Sequence, residues 1–167
     1  IPGVPYVIWL VPGIVPWFFF QEAMNAGTSC LQEYHYLVKK VVFNVEVLPV
    51  IKLVSCLFVH AIFVMIMIAM FFCYGRLPLA TWIQLIYYSA ALSVLILALT
   101  LITASVQVFF RDMAQLVSIL LQFGMWLVPI MWAPEMFDNF PPKVLPILKL
   151  NPIHYIVTGY RDSMISG

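Results

Sequence analysis

The chain has 167 residues, of which 64% are hydrophobic and only 9% charged, whereas a soluble domain carries roughly 25% charged residues. With a mean hydropathy of +1.03, too little polar surface remains to coat a water-soluble globule. A net charge of +1, with eight Lys and Arg scattered along the chain, offers no basic field and argues against a nucleic-acid partner.

A helix needs about 20 apolar residues to cross a hydrocarbon layer roughly 30 Å thick. Charge-free runs of that length occupy 1–21, 53–75, 77–110 and 113–134. At that depth backbone groups must be satisfied within each segment, which helices achieve. The expected fold class is therefore all-α integral membrane, with four transmembrane helices over about 5–33, 50–74, 79–107 and 113–133.

The first expected span passes Pro12 and Pro16, each of which removes a backbone donor and can kink a helix. Residues 34–46 follow as a charged connection at one membrane face. Lys52 then opens the second span, close enough to the interface to snorkel. Gly75-Arg76-Leu77-Pro78 has the composition of a tight turn and makes a hairpin of the second and third spans. Arg111-Asp112 is a short charged link to the fourth.

Beyond it, Pro134, Pro141, Pro142, Pro146 and Pro152 break a segment that stays apolar. The region 134–160 is too apolar for an ordinary loop and too broken to span. It reads as a pair of short re-entrant or interface-lying helices, tolerated where the backbone is buried in protein or lines a cavity. Positive charge is balanced between the two faces and does not set the orientation. The chain starts at Ile1 and stops soon after a polar segment, so it reads as a piece of a longer protein.

Uncharged polar residues recur at helical spacing. At 100° per residue, Trp17, Gln21, Asn25, Thr28 and Gln32 share one sector of the first span. Ser89, Ser93, Thr100, Thr103 and Gln107 do so in the third, and Gln115, Ser118, Gln122 and Trp126 in the fourth. Two readings stand: small and hydroxyl residues that let helices approach and bond, or a lining for a hydrophilic, uncharged substrate, with amides bonding sugar hydroxyls and aromatic rings stacking.

His60, alone among apolar residues, reads as a hydrogen-bonded packing residue ahead of a proton relay. Glu22 reads as an interface carboxylate. Trp9, Trp82 and Trp132 near span ends suit interfacial anchoring. Cys30, Cys56 and Cys73 show no CxxC spacing, so neither zinc nor a disulfide is expected. No catalytic cluster and no GxxxxGK[ST] phosphate loop occurs, so the chain reads as a non-enzyme whose nucleotide energy would come from another chain.

Five stretches in order carry a family resemblance: IVPWFFFQEAMNAGTSCL at 14–31, LVKKVVFNVEVLP at 37–49, VFFRDMAQLV at 108–117, LVPIMWAPE at 127–135 and LNPIHYIVTGYRD at 150–162. Together they resemble the membrane subunit of type-2 ABC exporters of cell-surface polysaccharides, closest to teichoic acid translocation permeases and more distantly to O-antigen and capsule permeases. The resemblance implies a plasma-membrane, multi-pass subunit that pairs with a second copy of itself and with a nucleotide-binding subunit holding ATP and Mg. It implies a lipid-linked polysaccharide as substrate.

By the same resemblance, Lys39, Lys40, Phe43 and Glu46 couple to the ATPase, while Arg111 and Asp112 anchor the cytoplasmic end of the fourth span. Pro129, Asn151, Pro152 and Arg161 belong to an external gate. The usual Phe-Pro of the coupling element is Phe43-Asn44 here, and the usual Ser-Pro before the outer bend is Val128-Pro129. The family pattern also makes the four spans the second to fifth of six. Alternatives are a membrane-embedded glycosyl- or phosphotransferase, a drug or lipid efflux permease, and a structural subunit with no path.

Overall fold

The computed structural model describes residues 5–36, 44, 46–75, 80–128 and 151–166. Their regular elements are all helical: α1 (Tyr6–Glu33), α2 (Val47–Cys73), a 3-10 turn (Ala80–Ile83), α3 (Gln84–Phe109), α4 (Met113–Leu127) and α5 (Pro152–Arg161). A π-helical turn, Asp162–Ser166, extends α5.

Among the described residues, three helices are long and apolar enough to cross a membrane: Tyr6–Glu33, Val47–Cys73 and Thr81–Phe109. The fourth expected span is described as a 15-residue helix, Met113–Leu127, shorter than a full crossing. Residues 129–133 of that expected span lie outside the described residues, as do Trp132 and residues 134–150 of the expected re-entrant pair. Within 134–160 the structure describes one short helix, α5.

α1 stays continuous through Pro12 and Pro16, because the backbone groups that prolines free in a bundle are re-satisfied locally or by neighbouring helices. It is the centre of the bundle, touching α2, α3, α4 and α5. The apolar stretch of α1 is 61% buried, against 22% for α2 and for α3. Phe58, Ile62, Met65 and Ile66 of α2 and Ile86, Val94 and Ile102 of α3 are exposed, an apolar surface of the kind lipid tails solvate.

Close helix contacts occur where a side chain is missing. A Cβ on Gly27 would overlap the Thr100 methyl of α3, and one on Gly124 of α4 would come within 2.9 Å of the Trp17 ring. A Cβ on Gly13 would lie 2.6 Å from the Arg161 guanidinium, and one on Gly159 would overlap the Tyr88 ring. Small residues at these crossings let backbones approach, the usual means of helix association where lipid removes a hydrophobic driving force.

The start of α5 is set by Asn151-Pro152. The Asn151 side chain accepts a hydrogen bond from the Ile153 N–H at 3.0 Å, and Pro152 takes the first turn, where its missing N–H costs nothing. The helix then buries Ile153, Ile156, Val157 and Tyr160 against α1 and α3.

Charged residues collect at one end of the bundle. The Lys52 ammonium meets Glu33 at 2.7 Å and lies 5.1 Å over the Tyr34 ring. Arg111 and Asp112 follow the end of α3 on the same side. Arg161 lies at the opposite end, with its guanidinium carbon 3.7 Å over the Trp9 ring.

Candidate functional site

The polar sectors of α1, α3 and α4 meet. Thr28 and Thr103 hydroxyls lie 2.7 Å apart, the Gln107 amide donates to Gln32 at 2.8 Å, and Ser118 donates to the Asn25 carbonyl oxygen at 2.8 Å. Thr100 is buried and donates back to the Ile96 carbonyl at 2.8 Å. Ser93 donates to the Ser89 carbonyl at 2.8 Å. Trp17 is buried against Gly124. Gln21 is half-buried.

Gln115, Gln122 and Trp126 behave differently. All three are exposed on α4, so their strip points away from this chain. The three sectors thus divide into an internal seam, hydrogen-bonded across α1, α3 and α4 but with the buried Trp17 Nε1 left without a partner, and an outward strip that meets its surroundings.

Gln107 organises the seam. Its Nε2 also donates to the Arg111 carbonyl at 2.9 Å, and its Oε1 accepts from the Ala114 N–H at 2.7 Å. Asp112, at the N-cap of α4, makes no side-chain cap bond. Gln107 therefore satisfies an orphan donor of the first turn of α4 from outside the helix.

A second polar cluster joins α2, α3 and α5. Ser89 Oγ donates to the Leu85 carbonyl at 2.7 Å, so the close contact between Ser89 and Tyr160 has Tyr160 Oη as donor. Tyr160 Oη then accepts from His60 Nε2 at 3.0 Å, and His60 Nε2 also lies 3.4 Å from Ser89 Oγ. This order puts the imidazole proton on Nε2 and leaves Nδ1 a lone pair, consistent with Nδ1 being buried without a partner. His60 also stacks on Phe19 with centroids 4.4 Å apart. It is a hydrogen-bonded packing residue, as expected of a lone histidine, and the chain of bonds ends on a carbonyl instead of a second titratable group.

The cluster docks α5, aided by Thr81 donating to the Ser163 carbonyl at 2.9 Å. Tyr160→Phe is expected to lower stability by about 0.6 kcal/mol, and by no more than about 1.7. Thermal unfolding in detergent reads this, and a loss well beyond that range would show that Tyr160 holds more than this hydroxyl. The sequence offered no signal for the cluster, because the three partners are dispersed and each looks like packing on its own helix.

Of the residues given a coupling role, Lys39, Lys40 and Phe43 lie outside the described residues, and Glu46 is exposed just before α2. Arg111 and Asp112 are exposed in the turn between α3 and α4. Among the outer residues, Asn151, Pro152 and Arg161 bound α5, and Pro129 lies outside the described residues. Burial draws the Arg161 guanidinium down to about 10, which leaves it a cation at neutral pH.

Glu22 is exposed on α1, which continues eleven positions past it to Glu33. Cys30, Cys56 and Cys73 are free, and among the described residues no three His, Cys, Asp or Glu side chains group as metal ligands.

Comparison with known proteins agrees with this architecture. Residues 2–165 match the family model described as ABC-2 type transporter. An O-antigen export system permease protein of Myxococcus xanthus is 31% identical over 165 residues, covering 96% of this chain and 61% of that protein. One of Klebsiella pneumoniae is 24% identical over 163 residues, covering 97% and 62%. The chain therefore spans about three-fifths of the length of these relatives. With a family match running through every described helix, the chain belongs to the ABC-2 type transporter family.

Proposed function

We propose that this chain is the membrane core of a permease subunit that exports a lipid-linked cell-surface polysaccharide across the plasma membrane. Power comes from ATP and Mg bound by a separate nucleotide-binding subunit. The observation that carries the reading is the outward strip Gln115, Gln122 and Trp126, polar and aromatic groups exposed on an otherwise apolar helix. Long amides facing lipid tails would lose hydrogen bonds, so this strip suits a wet surface shared with a second copy of the chain.

In this reading the seam of Thr28, Thr103, Gln32, Gln107, Asn25 and Ser118 holds α1, α3 and α4 as one body, and the outward strip meets the polymer. Lys39, Lys40, Phe43 and Glu46 receive the push of the ATPase, Arg111 and Asp112 fix the depth of α4, and Pro129, Asn151, Pro152 and Arg161 serve the outer gate. ATP binding biases two arrangements of the packed helices. The relatives carry O-antigen names, while the five sequence stretches resemble teichoic acid permeases. A lipid-linked polysaccharide is the substrate class common to both, with a teichoic-acid-type polymer as the narrower assignment.

Gln115→Leu combined with Gln122→Leu is expected to lower polymer export at least several-fold while assembly with the ATPase and thermal stability stay unchanged. Both are measured on the full-length permease in proteoliposomes with its ATPase partner. Undiminished export would remove the lining role. Hydrolysis that no glycan polymer stimulates would remove the substrate class.

A further inference from the structure

At the charged end of the bundle a cavity of about 700 Å³ is lined by Leu31, Gln32, His35, Gln107, Val108, Phe109 and Arg111. That volume is in the range of sites for small organic ligands. Its lining has two characters. Leu31, Val108 and Phe109 supply apolar surface where α3 leaves the spanning segment, while Gln32, His35 and Arg111 supply polar groups, and among the described residues no carboxylate contributes.

The hydrogen bonds around it decide which donors remain unspent. Gln107 Nε2 donates to the Arg111 carbonyl and its Oε1 accepts from the Ala114 N–H, which fixes the orientation of that amide. The Gln32 atom bonded to Gln107 Nε2 must then be the acceptor Oε1, and the Gln32 NH2 is left over. His35 Nδ1 can only donate to the Gln32 carbonyl, at 3.1 Å, which leaves Nε2 uncommitted. The Arg111 guanidinium has no ion-pair partner among the described residues; the ion pair at this end joins Lys52 to Glu33.

We propose that this cavity binds the phosphate headgroup of an anionic phospholipid from the adjoining leaflet. Arg111 and the Gln32 amide donate to the phosphate oxygens, and the glycerol and first acyl carbons lie against Leu31, Val108 and Phe109. Both acidic lipids and free phosphate offer the anion, but only a lipid uses the apolar half of the lining. An acidic segment of a partner protein would leave Leu31 and Phe109 unmatched. Phe109, 86% exposed, points to contact with the bilayer beside the cation.

The test uses the full-length permease with its ATPase partner in detergent, titrated with phosphatidylglycerol, with phosphatidylcholine and with inorganic phosphate, bound lipid being counted by native mass spectrometry. Phosphatidylglycerol is expected to bind about tenfold tighter than phosphatidylcholine, a preference lost in Arg111→Gln and partly kept in Arg111→Lys, as for a charge-assisted hydrogen bond. A photoreactive side chain at position 109 is expected to crosslink phosphatidylglycerol in preference, and it decides the matter should Arg111→Gln fail to fold. Three results would overturn the proposal: a preference unchanged in a folded Arg111→Gln, equal competition by inorganic phosphate, or an effect of Arg111→Gln on ATPase association alone.

Discussion

Gly27→Val is expected to be among the most damaging single changes in the described bundle, costing about 1–3 kcal/mol as an overpacked contact. The new side chain would enter the space of the Thr100 methyl. Thr100 cannot easily turn away, because its hydroxyl donates to the Ile96 carbonyl at 2.8 Å and lies 3.1 Å from the Leu97 carbonyl, which holds the rotamer with the methyl toward α1. α1 and α3 must therefore separate, and the seam bonds Thr28–Thr103 and Gln107–Gln32 lengthen with them. Thr100→Gly alone loses packing, yet in the double variant it returns the space. Thermal unfolding of the full-length permease in detergent should show the double variant more stable than the sum of the single losses. Strict additivity would mean that the two positions are not in contact.

The second large effect is at Gln107, where one buried amide serves three partners on α1, on the α3–α4 turn and on α4. Gln107→Leu removes all three bonds and leaves the Ala114 N–H without its stand-in cap. The expected loss is about 2 kcal/mol, the scale of a lost cap together with unsatisfied polar groups. Gln107→Glu separates the contributions. Its carboxylate still accepts from Ala114 but cannot donate to Gln32 or to the Arg111 carbonyl, so it should keep the start of α4 while loosening α4 from α1. Hydrogen exchange resolves the two, with Ala114 protection lost in the leucine variant and retained in the glutamate variant. Equal loss in both would show that the cap is not what Gln107 contributes.

The contrast between Gln107 and its sequence neighbours in the same class shows how far residues can be read without coordinates. Gln107, Gln115 and Gln122 looked alike as long amides on polar sectors of apolar helices. In the bundle, Gln107 is buried and its bonds are filled, whereas Gln115 and Gln122 are exposed. The Ser/Thr sector of α3 similarly turned inward, with Thr103 meeting Thr28 and Thr100 backing Gly27. Packing, one of two readings of the pattern, holds for the inward residues, and lining is proposed for the outward ones.

Another residue gained its meaning from the fold. His60 looked isolated because its partners, Ser89 and Tyr160, stand 29 and 100 positions away. No periodicity reports contacts of that separation.

The positions of α1, α2 and α3 followed from the sequence alone, because a run of apolar residues long enough to cross lipid is a local property that needs no knowledge of neighbours. The start of α5 at Asn151-Pro152 is local in the same way. Tertiary structure decided how each helix is rotated. That is set where backbones come close, at Gly13 under Arg161, Gly27 under Thr100 and Gly124 under Trp17. A helical repeat fixes the angles between residues on one rod, but only contact with another rod fixes which way that rod faces.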